Sequence, residues 1–166
     1  MTTIQYNLGG GASIALPADI AVKQLIEQLQ RHPAPAIRPE IGEYLPGQGG
    51  IYIGSRLKDG QVHHLIIPGG PDFDIKASHN NAAERIAAKG DINGFTDWRH
   101  GEQEDLMLAY INVPELFERE GYESIQITST PYGQSSAWFV DFEYGGVGID
   151  GRDYEFRVRP FRRLSI

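Results

Sequence analysis

The chain contains no cysteine. That one absence excludes a disulfide framework, a thiolate nucleophile and any zinc site built on sulfur ligands. Long apolar runs are missing too, and nothing approaches the ~20 residues that a membrane-spanning helix needs. The opening run MTTIQYNLGGG has neither a charged leader nor an apolar stretch behind it, so a cleaved signal peptide is not expected. Positive charge is scarce: 15 Lys and Arg face 22 Asp and Glu, a formal net charge of −7. An acidic chain is poorly suited to neutralising phosphates, and neither nucleic acid nor a membrane is an expected partner. No Gly-x-Ser-x-Gly elbow and no Ser-His-acid grouping can be read from the sequence. No catalytic residue and no cofactor are assigned, and an enzyme is not expected.

What is present is a foldable chain of one domain's length. Its 166 residues are 40% hydrophobic and include two Trp, eight Tyr and seven Phe, enough for a packed core. Twenty Gly and ten Pro are spread along the chain, which suggests short elements joined by many turns. Residues 3–7 (TIQYN) and 12–16 (ASIAL) alternate around Gly9, Gly10 and Gly11, a hairpin pattern. Val22, Leu25, Ile26 and Leu29 then recur at i, i+3, i+4 and i+7, one face of an amphipathic helix. The Pro-rich stretch HPAPAIRPE lacks periodicity. Residues 1–32 are accordingly expected to form a hairpin-helix segment for attachment or oligomerisation, residues 33–40 a linker, and residues 41–166 the main domain.

Beyond Ile41, GGIYIGSRL and GQVHHLII predict two strands around the turn Lys58-Asp59-Gly60. Residues 80–88 predict a helix with an Asn cap, and a second helix is expected near Glu102 to Tyr110, followed by a short turn through Pro114 to Arg119. After Gly121 the pattern is all β: SIQITST, AWFVDFEY and YEFRVRPF, the last a final strand in which Arg157, Arg159, Arg162 and Arg163 alternate with apolar residues. The fold class is α+β.

The run Asn93-Gly94-Phe95-Thr96-Asp97-Trp98-Arg99 anchors a more specific reading. Before it stands Pro46-Gly47-Gln48-Gly49-Gly50-Ile51-Tyr52, and after it Thr128-Ser129-Thr130, Ala137-Trp138-Phe139 with Phe142, and Arg157-Val158-Arg159. This order of motifs resembles the C-terminal domain family of the Legionella collagen-like protein, within the C-type-lectin-like superfamily. His100-Gly101 stands where that family has Leu-Pro, and Ile127 where it has an aromatic. The resemblance implies a C-type-lectin-like fold over residues 41–166, with mixed, loop-rich antiparallel sheets and two short helices. It also implies a phage or prophage tail protein that recognises a protein or glycan on the host surface, or another virion protein. A phage-encoded cytosolic inhibitor or adaptor that binds a host protein is the alternative. The expected location is thus the virion or the host cytoplasm.

The superfamily's exposed face runs from the Ser-Thr turn to the last strand. Here it carries Tyr132, Gln134, Ser135, Ser136, Tyr144, Asp150, Arg152, Asp153 and Tyr154. Tyrosine among small polar residues suits recognition, because it offers contact area at low entropic cost; ordinary polar loops are the other reading of these residues. Trp98 and Trp138 are expected in the core, and Arg99 beside a buried carboxylate such as Asp97 or Asp141. His63 and His64 point to opposite faces of one strand and cannot share a metal, while His79 and His100 are loop residues without ligand spacing. Asp72 and Asp74, and Asp150, Asp153 and Glu155, match no calcium-loop spacing and are expected to be solvated turns.

Overall fold

The computed structural model describes residues 3–7, 13–17, 22 and 39–164. The chain divides into two compact units, residues 1–38 and 39–166. In the first, Thr3–Asn7 (β1) pairs antiparallel with Ser13–Pro17 (β2), Thr3 opposite Pro17 and Asn7 opposite Ser13. Val22 is helical and exposed. The glycine turn, the rest of the amphipathic stretch and the linker through residue 38 lie outside the described residues.

The second unit is mixed α+β. It has two helices and two five-stranded, mostly antiparallel sheets. The strands Tyr44–Leu45 (β3), Gly50–Lys58 (β4) and Gln61–Ile67 (β5) open the first sheet. Asp59 and Gly60 both take positive φ, 51° and 75°, the condition for the tight hairpin turn whose twist matches its strands. The strand β5 ends in a continuous apolar run because both its faces are covered. Ile66 joins a core with Tyr52, Trp98 and Ile127, while Leu65 and Ile67 join another with Leu106, Phe142 and Phe161. Burial on both faces replaces the polar/apolar alternation of a half-exposed strand. At Gly54 the β4–β5 register slips and φ reaches 120°. A Cβ there would stand 2.8 Å from Asn112 Nδ2, the same nitrogen that donates to the Ile53 carbonyl at 2.8 Å.

Ile75–Ala77 (β6) leads into the helix Ala82–Ala88 (α1). Asn81 stands at its start, but its Oδ1 accepts from the Ser78 N–H, one turn back, instead of capping a helical N–H. Arg99–His100 (β7) precedes the helix Gln103–Asn112 (α2), where Glu102 and Asp105 form a reciprocal capping box. Leu106, Ala109 and Val113 recur along one side and enter the core. The strands Ile125–Tyr132 (β8), Ser136–Asp141 (β9) and Val147–Gly151 (β10) form an antiparallel meander. Phe156–Val158 (β11) then adds to β8 in parallel and to β6 antiparallel. Finally Pro160–Arg163 (β12) returns to lie between β5 and β7 in the first sheet.

The single final strand expected from YEFRVRPF is therefore two strands in two sheets, and Arg159 is the crossing point. Its side chain is fully buried. It bonds Asp74 and donates to the carbonyls of Gly69 at 2.6 Å and Leu116 at 3.1 Å. Its guanidinium lies 4.2 Å from the centroid of Phe117, which stacks on Phe142 at 4.0 Å. Asp74, expected as a solvated turn residue, is buried; it also accepts from Gln126 Nε2 at 3.0 Å and Arg157 at 3.3 Å. The loop before β6, the strand β8 and the crossover are thereby fixed to one carboxylate.

Removing one member of a buried pair strands the other charge, at a cost of ~3–5 kcal/mol. Asp74→Ala is expected to lower the unfolding free energy in urea by about that much. Lys76→Ala, which breaks an exposed pair with Glu123, should lower it by under about 1 kcal/mol. Equal losses in the two variants would show that the crossover does not depend on the buried pair.

Candidate ligand-binding face

The hairpin β8–β9 turns through Gly133, Gln134 and Ser135, with Gly133 at φ 65°. Antiparallel pairing sets Tyr132 opposite Ser136, and Ser136 opposite Gly151 of β10. That ladder collects eight of the nine expected face residues at one end of the second sheet: Tyr132, Gln134, Ser135, Ser136, Asp150, Arg152, Asp153 and Tyr154. Tyr144 is not among them. It sits in the β9–β10 turn at the opposite end, where it is 78% exposed, and the Glu143 carboxylate beside it raises its hydroxyl pKa above the usual range.

Within the cluster the side chains divide by role. The Arg152 guanidinium donates to the carbonyls of Ser136 at 3.0 Å and Gly133 at 2.6 Å, and its backbone N–H donates to Ser135 at 2.9 Å. It clamps the hairpin turn. Asp153 Oδ1 accepts from Asn80 Nδ2 at 2.7 Å, tying the segment to the approach to α1, and Asp150 Oδ1 accepts from the Gly151 N–H at 2.7 Å. Tyr154 lies close over Gly151 and is exposed, as are Tyr132, Gln134 and Ser135. Tyr132 meets Trp138 edge-on, ring centroids 5.2 Å apart at 79°. The displayed groups are thus two tyrosines flanking a Gln-Ser turn, and Arg152, Asp153 and Asp150 hold them in place.

The tryptophans differ. Trp98 is buried and its indole N–H donates to the Ile92 carbonyl at 3.0 Å. Trp138 is only half-buried, because it projects beside Tyr132 from the sheet face shared with exposed Ile149. Arg99 pairs with Asp105 at 2.8 Å, and neither Asp97 nor Asp141 takes that place. Asp97 bonds Arg162, and Asp141 accepts from Ser124 Oγ at 2.7 Å. Asp105 is fully buried between Arg99 and Arg56, and Glu102 bonds Arg56 and Lys58. These four ion pairs pin the start of α2 to β4 and β7. Alternation alone could not reveal the pairs of Arg56 and Lys58, which reach residues more than 40 positions away.

Among the described residues no three His, Asp or Glu side chains gather in a way that could hold a metal ion. His64 Nδ1 meets the Tyr52 hydroxyl at 3.1 Å. His63 is held below its usual pKa by partial desolvation and by the positive charges of Arg163, Arg56, Lys58 and Arg99. His100 is not a loop residue. It lies in β7, buried, with Nε2–H donating to the Ile127 carbonyl at 3.0 Å, and burial pushes its pKa down to about 4 despite that bond.

A histidine depressed in the folded state and ordinary in the unfolded chain lets the unfolded chain take the proton first. The stability His100 contributes is full above pH ~6.5 and is lost as pH falls toward ~4. At ~1.4 kcal/mol per pKa unit, the loss across that window is expected to be about 3 kcal/mol. Urea titrations between pH 7 and 4 check it: the wild-type midpoint should fall steeply, and His100→Gln should flatten the slope. An unchanged slope in that variant would place the acid sensitivity elsewhere.

No protein-family model matches this chain, and no curated protein matches it by sequence.

Proposed function

We propose that the chain is a non-enzymatic binding module with a C-type-lectin-like fold over residues 41–166, working on a phage or prophage tail and recognising a host-surface or virion partner. The fold reading is supported by the path of the chain: an opening hairpin β4–β5, two short helices, a looped second sheet, and a final strand that returns beside the opening hairpin. The observation that carries the binding reading is the division of labour at the β8–β9 tip. Exposed Tyr132, Gln134, Ser135 and Tyr154 are held by a clamp, Arg152, whose hydrogen bonds go to the turn's own carbonyls. Aromatic contact area on a pre-ordered turn loses little entropy on binding. A protein or a glycan could meet such a face through stacking and neutral hydrogen bonds.

The test has two parts. Purified phage particles are examined by mass spectrometry for the chain, and the labelled chain is mixed with host envelope fractions and with host cytosol. Retention on the envelope, reduced roughly tenfold or more in Tyr132→Ala with Tyr154→Ala, matches a pair of interface anchors worth ~2 kcal/mol or more. Leu57→Ala, exposed on β4, should bind as wild type. Normal binding by the double variant, with an unchanged folded spectrum, would remove this face. Absence from particles together with one stoichiometric cytosolic partner would replace the tail reading with that of an intracellular inhibitor or adaptor.

A further inference from the structure

The two five-stranded sheets have four edges: β3, β7, β6 and β10. Three are short, β3 and β7 with two residues each and β6 with three. The last of these also carries Lys76, a charge of the kind that protects an edge. The fourth edge, β10, is five residues long, Val-Gly-Ile-Asp-Gly, with no Pro, no Lys and no register slip against β9. Its two apolar side chains, Val147 and Ile149, are each 45% exposed.

Antiparallel ladders alternate, so which backbone groups face outward can be read from one bond. The Asp141 N–H donates to the Gly146 carbonyl at 2.9 Å. Gly148 and Asp150 therefore bond inward to β9, and the N–H and C=O groups of Val147 and Ile149 point away from it. Gly151 also points outward, though its N–H is occupied by Asp150 Oδ1.

We infer that β10 pairs with β10 of a second copy of this chain, antiparallel about a two-fold axis at Ile149, joining two sheets into one. The register follows from the side chains. An axis at Ile149 sets Val147 opposite Gly151 of the second copy and Asp150 opposite its Gly148, so all five residues overlap, Val147 and Asp150 each meet a glycine, and Ile149 meets its own copy. An axis at Asp150 would set two carboxylates directly opposite, which is destabilising. An axis at Gly148 would pair only three of the five strand residues. The self-complementary pattern selects a second copy over an unrelated extended peptide, which has no reason to place glycine opposite both Val147 and Asp150. Paired residues share a face, and Trp138 lies opposite Ile149 in the ladder. The joined sheet thus carries an unbroken apolar row, Trp138 and Ile149 of one copy followed by Ile149 and Trp138 of the other. The same register lays the turn that holds Tyr144 alongside the turn that holds Tyr154 of the second copy. The pairing does not depend on the ligand reading of the β8–β9 tip.

The absence of cysteine makes the test clean. Ile149→Cys is introduced into the full chain, and Tyr144→Cys, the more exposed position, serves as control. A hydrogen-bonded antiparallel pair sets its Cα atoms ~5.5 Å apart, within the reach of a disulfide. Oxidation or a short thiol-reactive cross-linker is expected to double the mass of Ile149→Cys at least about tenfold faster than that of Tyr144→Cys, as an intramolecular reaction should. Ile149→Lys should keep the wild-type folded spectrum, lose the association seen by light scattering and, with it, any concentration dependence of the melting temperature. Association held by residues 1–38 would leave both copies of Ile149 apart, so equal cross-linking of the two cysteine variants overturns the proposal. So does a wild-type chain that stays monomeric at high concentration.

Discussion

The architecture depends on one buried carboxylate. Asp74 neutralises Arg159 at the point where the chain leaves one sheet for the other, and the same carboxylate holds Gln126 of β8 and Arg157 of β11. A strand crossing between two layers must bury backbone and side chain together, with no solvent to satisfy either. Arginine suits the position because its planar head offers several donors at once. Here they reach one carboxylate, two backbone carbonyls and the face of Phe117. Those partners come from two connections, Gly69 and Asp74 between β5 and β6 and Leu116 and Phe117 after α2, so the pair orders segments that have little regular structure of their own.

Much of this was legible in the sequence where periodicity governs. The β4–β5 hairpin, both helices, β8 and β9 all follow from alternation, turn residues and the 3.6 period. What escaped has a common cause. Asp74 read as a solvated turn residue and Arg159 as one of four arginines on a single strand, because a charge in a linear sequence carries no sign of a partner 85 residues away. The segment of β10 around Asp150 read as a solvated turn, since two of its five residues are glycines. Phe139 lies where a Cβ on Gly148 would be, 2.4 Å from its ring. Trp138 was expected in the core with Trp98, and it is only half-buried although Ala137 and Val140 on the same strand are core. Its partial exposure comes from the sheet face it shares with exposed Ile149, which no local pattern encodes.

The candidate face was legible as a segment and not as a surface. Eight of its residues converge because the ladder sets Tyr132, Ser136 and Gly151 side by side. Arg152, chosen as a contact residue, instead holds the turn through backbone carbonyls. Its removal would loosen Tyr132 and the Gln-Ser turn even if no ligand ever touched it. The tyrosines are therefore the better probes of recognition.

Tyr144 is the instructive exception. In a single chain it stands at the far end of the hairpin from every other member of the face, so it has no place in a contiguous patch. Edge pairing about Ile149 changes that geometry, because an antiparallel two-fold carries the near end of one sheet to the far end of the other. Two copies would then present two composite faces, each with Tyr132 and Tyr154 from one chain and Tyr144 from its neighbour. Half-buried Trp138 would lie in the row between them. Weak contacts at a single tip gain strength when two are displayed rigidly together, because the second engagement becomes intramolecular. On that pairing the unprotected edge and the isolated tyrosine would be two consequences of one arrangement, both set by the five residues of β10.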